Sequence, residues 1–295
     1  MVSEGLLRSK VVEMVSAAAI YLADDVKEAL RKSYEVEDNP LAKKVFESIL
    51  DNVRVAEEEG RPLCQDTGTL IYYVKAGDNF PLLGRLPSII RDATIEATAS
   101  TPLRPNAVDV ITGENSGDNT GERIPWVEWE IVPKRDGEEI TVVLKGGGSE
   151  SSSLVKVIPP CLGIEGALKI VVDDIFESGA KICPPVVVGV GLGPTGDVAM
   201  SLAKKALLRP ISDRNPRKDV AVLEDKLLEA INALGWGPHG VGGRTTALDV
   251  HIEVAYRHPA TLAVGVATNC WASRTSTMRV TKEGVEFLTH RFLNR

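Results

Sequence analysis

Aromatic side chains and long apolar runs are both scarce in this chain of 295 residues. Aromatic residues make up 5% of it, so aliphatic side chains must fill the core. A membrane-spanning helix needs about 18 consecutive apolar residues, and no run approaches that length. The longest, around residues 186–192, is interrupted by glycine. We therefore expect no membrane span.

Positive charge is also in deficit. The chain carries 34 Lys and Arg against 41 Asp and Glu, for a formal net charge of −7. This balance argues against nucleic-acid binding, which needs a basic face, and against docking on an anionic membrane. The N-terminus lacks the basic, apolar and small-residue pattern of a signal peptide. We expect a cytoplasmic protein whose four cysteines are reduced.

Helical and strand patterns alternate along the chain. Apolar spacing predicts helices over about 5–35, in two pieces, and over 40–60. Further helices are predicted at 82–100, 164–178, 197–208 and 218–234, and strands at 69–76, 126–132, 140–144, 186–190, 246–256 and 260–268. This interleaving predicts an α/β (α+β mixed) fold, a mixed sheet covered by helices, with a helical N-terminal segment of about 5–60. No composition shift marks a linker, so we predict a single domain, 1–295.

Turn residues and glycine clusters mark the connections. Asp136 and Gly137 separate two of the predicted strands and signal a hairpin between them. Residues 145–153 hold three Gly and four Ser, which predicts a loop, and residues 235–243 hold five Gly and predict another. Residues 191–196, GLGPTG, match the dinucleotide pattern GxGxxG, but Pro194 removes one backbone N–H. We favour a tight strand-to-helix turn there.

The four cysteines contain no CxxC pair, which disfavours a zinc ribbon or a thioredoxin-type site. Cys64 in PLCQDTG, Cys183 in ICPP and Cys270 in TNCW lie near the ends of predicted elements. Cys161, in PPCLG, has no polar neighbours. Three thiolates that are distant in sequence can converge in space and suit an iron–sulfur cluster. Unrelated structural cysteines remain the alternative on this argument alone.

Two further residues suit a site for a small anion. Arg104, in PLRPN, is framed by prolines, and a guanidinium held in this way offers a bidentate fork to a carboxylate. A solvated loop arginine is the alternative. His258 lies at a strand end, where side chains reach clefts, and is favoured over His239 and His251 as a functional histidine.

The motifs PLCQDTGT, LRPNAV, KGGGSES, CPPVVVGVGLGPTGD, ALGWGPHGVGG and RHPATLAVGVATNCW occur in this order. Together they resemble the α-type catalytic region of class I fumarases and L-tartrate dehydratases, which are oxygen-sensitive iron–sulfur hydro-lyases. The resemblance runs from about residue 5 to the C-terminus. It implies a [4Fe–4S] cluster held by Cys64, Cys183 and Cys270, whose fourth iron lacks a protein ligand and acts as a Lewis acid on the substrate hydroxyl. It implies no role for Cys161.

The resemblance also implies roles for five other residues. It places Gln65 and Asp66 beside the substrate, with Asp66 acting in proton transfer at the leaving hydroxyl and His258 as its partner. It makes Arg104 a clamp for a substrate carboxylate and Gly147 a backbone amide donor to the substrate. A buried Asp–His pair of this kind could hold a proton near neutral pH.

The implied activity is the reversible dehydration of (S)-malate, a C4 dicarboxylate, to fumarate. Because the family also has a β-type region and this chain stops at Arg295, we expect a separate β subunit in an α2β2 assembly. The KGGGSES loop favours fumarase over L-tartrate dehydratase, which stays the alternative. From other classes, the alternatives are a redox iron–sulfur protein with Cys161 as fourth ligand and a cluster-free binding protein.

Overall fold

The computed structural model describes residues 2–135 and 137–294. Contacts along the chain divide it into two compact units. The first unit takes the described residues of Met1–Asp24, Asn52–Gly146 and Arg274–Arg295, and the second takes Asp25–Asp51 and Gly147–Ser273. The assignment of one domain to 1–295 stays a prediction. No helix of the described residues is long and apolar enough to cross a membrane.

Helices and strands interleave along the whole chain. The described residues form eight α-helices: α1 (Glu4–Ile20), α2 (Asp24–Val36), α3 (Pro40–Glu59), α4 (Leu86–Ser100), α5 (Gly147–Glu150), α6 (Gly163–Ser178), α7 (Gly196–Ala206) and α8 (Lys218–Asn232). They also form nine strands: β1 (Thr69–Gly77), β2 (Trp126–Val132), β3 (Glu138–Lys145), β4 (Leu154–Ile158), β5 (Val186–Gly193), β6 (Ala247–Val254), β7 (Leu262–Asn269), β8 (Thr275–Val280) and β9 (Val285–Phe287).

The first unit is built on a five-stranded mixed sheet in the order β2-β1-β3-β8-β9. Strands β1 and β2 run parallel, and the other pairs are antiparallel. Helix α1 begins where the Ser3 hydroxyl accepts the Leu6 N–H at 3.2 Å, which satisfies one of the unpaired amides of its first turn. Its buried side chains and those of α4 share one apolar core with β1, β3 and β8.

The hairpin predicted between 126–132 and 140–144 is wrong. Both strands exist, but β1 lies between them and pairs with each. The connecting segment passes close to the end of β1, because a Cβ on Gly77 would lie 2.2 Å from the Arg135 carbonyl oxygen, and the Lys134 N–H donates to Asp78 at 3.0 Å. A local turn signal cannot reveal a third strand inserted between its flanks. Asp136 itself lies outside the described residues.

The second unit is built on a four-stranded mixed sheet in the order β4-β7-β5-β6. Strands β5 and β6 are parallel, and the β4–β7 and β5–β7 pairs are antiparallel. Valines and isoleucines of β5, β6 and β7 share an apolar core with α6 and α8, and α7 packs against the sheet through β5 and β7. The predicted fold class, a mixed α/β fold with helices covering mixed sheet, is confirmed.

The glycines at positions 189 and 191 allow α7 to pack closely on β5. A Cβ on Gly189 would lie 2.1 Å from the Ala203 carbonyl oxygen, and a Cβ on Gly191 would lie 1.9 Å from that of Ala199. On the neighbouring strand β7, a Cβ on Gly265 would lie 2.5 Å from the same Ala199 oxygen. The backbone of α7 therefore approaches the sheet closely at three positions that lack a Cβ. This contact accounts for the first glycine of GLGPTG without a bound nucleotide.

Candidate active site

The segment that carries Cys64, Gln65 and Asp66 connects α3 to β1 in the first unit. Leu63 anchors it, since its N–H donates to the Ala19 carbonyl at 2.9 Å and its carbonyl accepts from the Asn52 side chain at 2.9 Å. Cys64 is partly buried and Gln65 is exposed. Two hydrogen bonds thus fix the position of Leu63, the residue before Cys64.

Asp66 opens a tight turn into β1. Its Oδ1 accepts the Gly68 N–H at 3.0 Å, the side-chain to backbone bond that defines an Asx turn. Gly68 has a φ of +85°, and a Cβ there would lie 2.5 Å from the Leu144 carbonyl carbon. Only glycine meets both conditions, so this position fixes how the Asp66 turn enters the sheet.

Arg274 holds the other side of Asp66. Its side chain is buried at 3% exposure, and its Nη1 donates to the Asp66 backbone carbonyl. A Cβ on Gly146 would lie 3.0 Å from Arg274 Nη2 and 3.3 Å from Asp66 Oδ2. Sequence reasoning missed Arg274 because it directly precedes β8, a strand that the pattern did not predict.

Arg104 is hydrogen-bonded to the same turn through its backbone. The Thr67 hydroxyl accepts the Arg104 N–H at 3.0 Å and lies 3.3 Å from the Arg104 carbonyl oxygen, to which it donates. The Asn106 side chain donates to the Gly68 carbonyl at 2.9 Å, and the buried Asn119 side chain donates to the Arg104 carbonyl at 3.2 Å. The first unit therefore brings the segments of Asp66 and Arg104 together, with the Arg104 residue exposed.

In the second unit, the segments of Cys183 and Cys270 lie side by side. Cys183 follows a 3-10 turn and adopts the left-handed conformation, with φ 53° and ψ 63°. Cys270 comes directly after β7. Strands β5 and β7 pair in the register Val187 opposite Asn269, and the Trp271 N–H donates to the Cys183 carbonyl at 3.3 Å. Strand pairing thus joins two of the three predicted cysteine ligand segments.

The glycine-rich loop of residues 235–243 borders these cysteine segments. The His239 N–H donates to the Pro184 carbonyl at 2.8 Å, and its ring centroid lies 6.4 Å from that of Trp271. Although His239 is exposed, the surrounding chain withdraws part of its ring from water, which lowers its pKa. The sequence pattern favoured His258 over His239, but it is His239 that the structure places beside the Cys183 segment.

The remaining predicted site residues also lie in the second unit. Gly147 is exposed and begins α5, a short helix where the sequence predicted only a loop. His258 is exposed in the connection between β6 and β7, and its pairing with Asp66 stays a prediction. Its Nδ1 accepts the Ala260 N–H at 3.1 Å, which leaves Nε2 to carry the proton of the neutral ring. Cys161 is exposed in a 3-10 turn.

The predicted residues therefore divide between the two units. The first holds Cys64, Gln65, Asp66 and Arg104, and the second holds Gly147, Cys183, His258 and Cys270. All four cysteines lie in the described part of the chain, and no disulfide joins them. Within each unit, the described residues show no group of three Cys, His, Asp or Glu able to hold a metal ion. A three-cysteine set would draw on both units, and the assigned site roles stay predictions.

Comparison with known proteins identifies the chain's relatives. The family model described as Fumarate hydratase (Fumerase) matches residues 8–279. The L(+)-tartrate dehydratase subunit alpha of Escherichia coli (strain UTI89 / UPEC) is 44% identical over 259 residues, which cover 88% of this chain and 86% of that protein. The putative L(+)-tartrate dehydratase subunit alpha of Methanocaldococcus jannaschii is 45% identical over 273 residues, covering 92% of this chain and 96% of that protein.

The names of these relatives define an enzyme class. Hydratases and dehydratases add or remove water across a carbon–carbon bond, so the class is that of the hydro-lyases. The chain belongs to the fumarate hydratase family. This confirms the family that the motifs resembled.

Proposed function

We propose that this chain is the α-type subunit of an iron–sulfur hydro-lyase that reversibly dehydrates (S)-malate to fumarate. The observation that carries the proposal is the hydrogen-bonded assembly of the Asp66 turn with the Arg104 segment. It ties together, through backbone and Asn106 hydrogen bonds, two segments that carry a carboxylate and a guanidinium. A hydroxylated dicarboxylate needs both groups, one to move a proton and one to bind a carboxylate.

Each of these side chains has a defined task in the proposal. The exposed Arg104 guanidinium binds one substrate carboxylate through two parallel N–H donors. Asp66 is oriented by Gly68 at Oδ1 and by Arg274 at its backbone carbonyl, so that Oδ2 handles the proton at the leaving hydroxyl. Gln65, exposed beside it, contacts the substrate.

The second unit contributes the proton partner and an amide donor. His258, whose Nδ1 accepts the Ala260 N–H, serves as the partner of Asp66 in proton transfer. The Gly147 backbone amide binds the substrate. These assignments follow the family motifs that both residues match.

Cys64, Cys183 and Cys270 would hold a [4Fe–4S] cluster. The donor set fits, because thiolates are the ligands that iron–sulfur clusters prefer, and the Cys183 and Cys270 segments are adjacent. When bound, the cluster supplies a Lewis-acidic iron for the substrate hydroxyl. The competing redox function would need Cys161 as a fourth ligand, and Cys161→Ser separates the two, since a hydro-lyase keeps its cluster and activity.

L-tartrate dehydration is the second candidate activity. The relatives that match most of this chain are named L(+)-tartrate dehydratase subunits, which favours it. The KGGGSES sequence favours fumarase. Malate and L-tartrate are both hydroxylated C4 dicarboxylates, so the same Arg104 and Asp66 tasks serve either one.

A separate β-type chain is the proposed partner. The relatives carry the name subunit alpha, which supports a second subunit, and we assign an α2β2 assembly that works in the cytoplasm. In this assembly the β chain completes the substrate site.

The test is co-expression with the β chain, anaerobic purification, and parallel assays with malate, fumarate and L-tartrate. We expect iron and sulfide in the purified complex and interconversion of malate and fumarate. Turnover of L-tartrate alone would favour the second candidate activity instead. Asp66→Asn should lower kcat far more than it raises KM, because it removes a proton-transfer group. A complex that contains the cluster and turns over none of the three substrates would contradict the proposal.

A further inference from the structure

A short apolar tip projects from the first unit directly beyond Arg104. Residues 108–111 read Val-Asp-Val-Ile. Val110 is 94% exposed and Ile111 is 89% exposed, the former being as accessible as any large apolar side chain in the described residues. Exposed apolar side chains that lie next to each other, unlike those scattered singly, mark interaction sites. We call residues 108–111 the apolar tip.

The tip is held rigidly by its own chain. Val108 and Asn115 form an antiparallel bridge, and the Asp109 N–H donates to the Glu114 carbonyl at 2.8 Å. The Asp109 side chain accepts from the N–H groups of Ile111 at 2.9 Å and Thr112 at 2.7 Å. These two bonds hold the pKa of Asp109 below its usual range, so it stays ionised at neutral pH. A preorganised tip loses little conformational freedom on binding.

The base of the tip is joined to the Arg104 segment. The Asn119 side chain accepts the Asn106 N–H at 2.6 Å and donates to the Arg104 carbonyl at 3.2 Å. A chain that contributes to the substrate site must approach Arg104. The Asn119 side chain therefore holds both the base of the apolar tip and Arg104, the residue that binds the substrate carboxylate in the proposed function.

The charge around the tip selects its partner. Between Arg104 and Arg123 the chain contains Asp109, Glu114, Asp118 and Glu122 and no Lys or Arg. An acidic surround favours a basic rim on the partner and disfavours a second copy of the same acidic segment.

We propose that the apolar tip is a docking element for the β chain, which receives Val110 and Ile111 in an apolar pocket with a basic rim. This inference rests on the proposed two-subunit enzyme. The apolar tip takes no part in the reaction, and its role is to position the β chain beside Arg104.

The experiment measures the Kd between separately purified α and β chains by calorimetry under anaerobic conditions. Val110→Ser combined with Ile111→Ser should raise the Kd at least tenfold, because two exposed aliphatic side chains lose their burial on binding. Asp109→Ala keeps both aliphatic side chains and removes the two bonds that order them, and it should weaken binding by a smaller factor. Val36→Ser, at an exposed valine of the second unit, is the control and should leave the Kd unchanged.

Each variant should fold, because the substituted side chains are exposed and the buried contacts stay intact. Circular dichroism checks this for every variant. A wild-type Kd for the double variant overturns the tip proposal while leaving the two-subunit enzyme standing. Failure of the wild-type chains to bind each other overturns the proposed function instead. Self-association of the wild-type α chain that the double variant abolishes, measured by sedimentation, overturns the β chain as occupant.

Discussion

Replacement of Gly191 by alanine tests whether the GLGPTG glycines serve packing or a nucleotide. The added Cβ would lie 1.9 Å from the Ala199 carbonyl oxygen and 2.6 Å from the Ala203 backbone nitrogen. A carbon and an oxygen need about 3.2 Å, so α7 must move away by more than 1 Å. Both obstructing atoms belong to the helix backbone, which cannot rotate aside as a side chain can.

The cost of that movement follows from what α7 buries. Its buried side chains Ala199, Ala203 and Ala206 are small, and the helix sits on β5 and β7 through the three glycines at 189, 191 and 265. Lifting the helix leaves a gap along this contact that aliphatic neighbours cannot fill. Overpacking of this kind costs about 3 kcal/mol or slightly more. In a chain of this size that lowers Tm by roughly 6–12 °C.

Thermal and urea unfolding of the full chain, followed by circular dichroism, measures the change. Gly193→Ala is the matched control on the same strand, because its Cβ would meet first the Val198 Cγ1 at 3.3 Å, a side-chain atom that can shift. We expect the control to change stability by less than about 0.5 kcal/mol. If Gly191→Ala proves as stable as Gly193→Ala, the packing explanation is wrong.

Three further predictions concern buried charge and the Asp66 support. Arg209→Met should lower the free energy of unfolding, measured by urea titration, by about 3–5 kcal/mol, because it leaves the fully buried Glu224 without its ion-pair partner at 2.7 Å. The control is Arg217→Met, which breaks an exposed ion pair and should cost under about 0.5 kcal/mol. Burial first, and then the neighbouring Glu177, raise the pKa of Asp174 from 3.8 to about 6. Ionisation therefore costs stability as pH rises from about 4 to 6, so Asp174→Asn should stabilise the chain at pH 8 and not at pH 4. The pKa shift corresponds to roughly 3 kcal/mol of stability, reduced to about 1 kcal/mol by solvent screening at this half-buried site. Asp173→Asn is the exposed control. Equal unfolding curves of the Asp174 variant and the wild type at pH 8 would refute the reasoning. Gly146→Ala should lower kcat roughly 10- to 100-fold with little change in Tm, because its Cβ displaces Arg274 or Asp66 by several tenths of an ångström. Gly84→Ala, with open space around it, should leave kcat unchanged.

The elements that the sequence predicted well are those with strong apolar periodicity. Helices α2 and α3 each carry an apolar stripe on one face, and their predicted and observed bounds differ by a few residues. Strand β8 was missed because its buried positions include Ser276, a polar residue that hides the alternation. Strands β4 and β9 are too short, at five and three residues, to show a period.

The sequence points to the candidate site residues one at a time, but it does not predict how their segments are arranged. Cys183 and Cys270 stand out in sequence as residues at strand ends, but their adjacency comes from the pairing of β5 with β7, strands separated by 68 residues of chain between Gly193 and Leu262. Long-range pairing of this kind leaves no trace in local patterns. His258 matched its family motif, yet only the structure shows that the ring is exposed and held through Nδ1.

The position of the Asp66 turn depends on two glycines, which carry no Cβ, as much as on the side chains that contact it. At Gly68 a Cβ would collide with the backbone of β3, and at Gly146 it would crowd both the carboxylate and Arg274. These two glycines lie at the same end of the β1–β3 pair, one residue beyond the position where Thr69 opposes Lys145. Because neither carries a Cβ, the Asp66 turn can close against the strand while a buried arginine reaches its backbone. The glycine-rich motif for which the sequence predicts a loop provides, at Gly146, the space that the Asp66 carboxylate occupies.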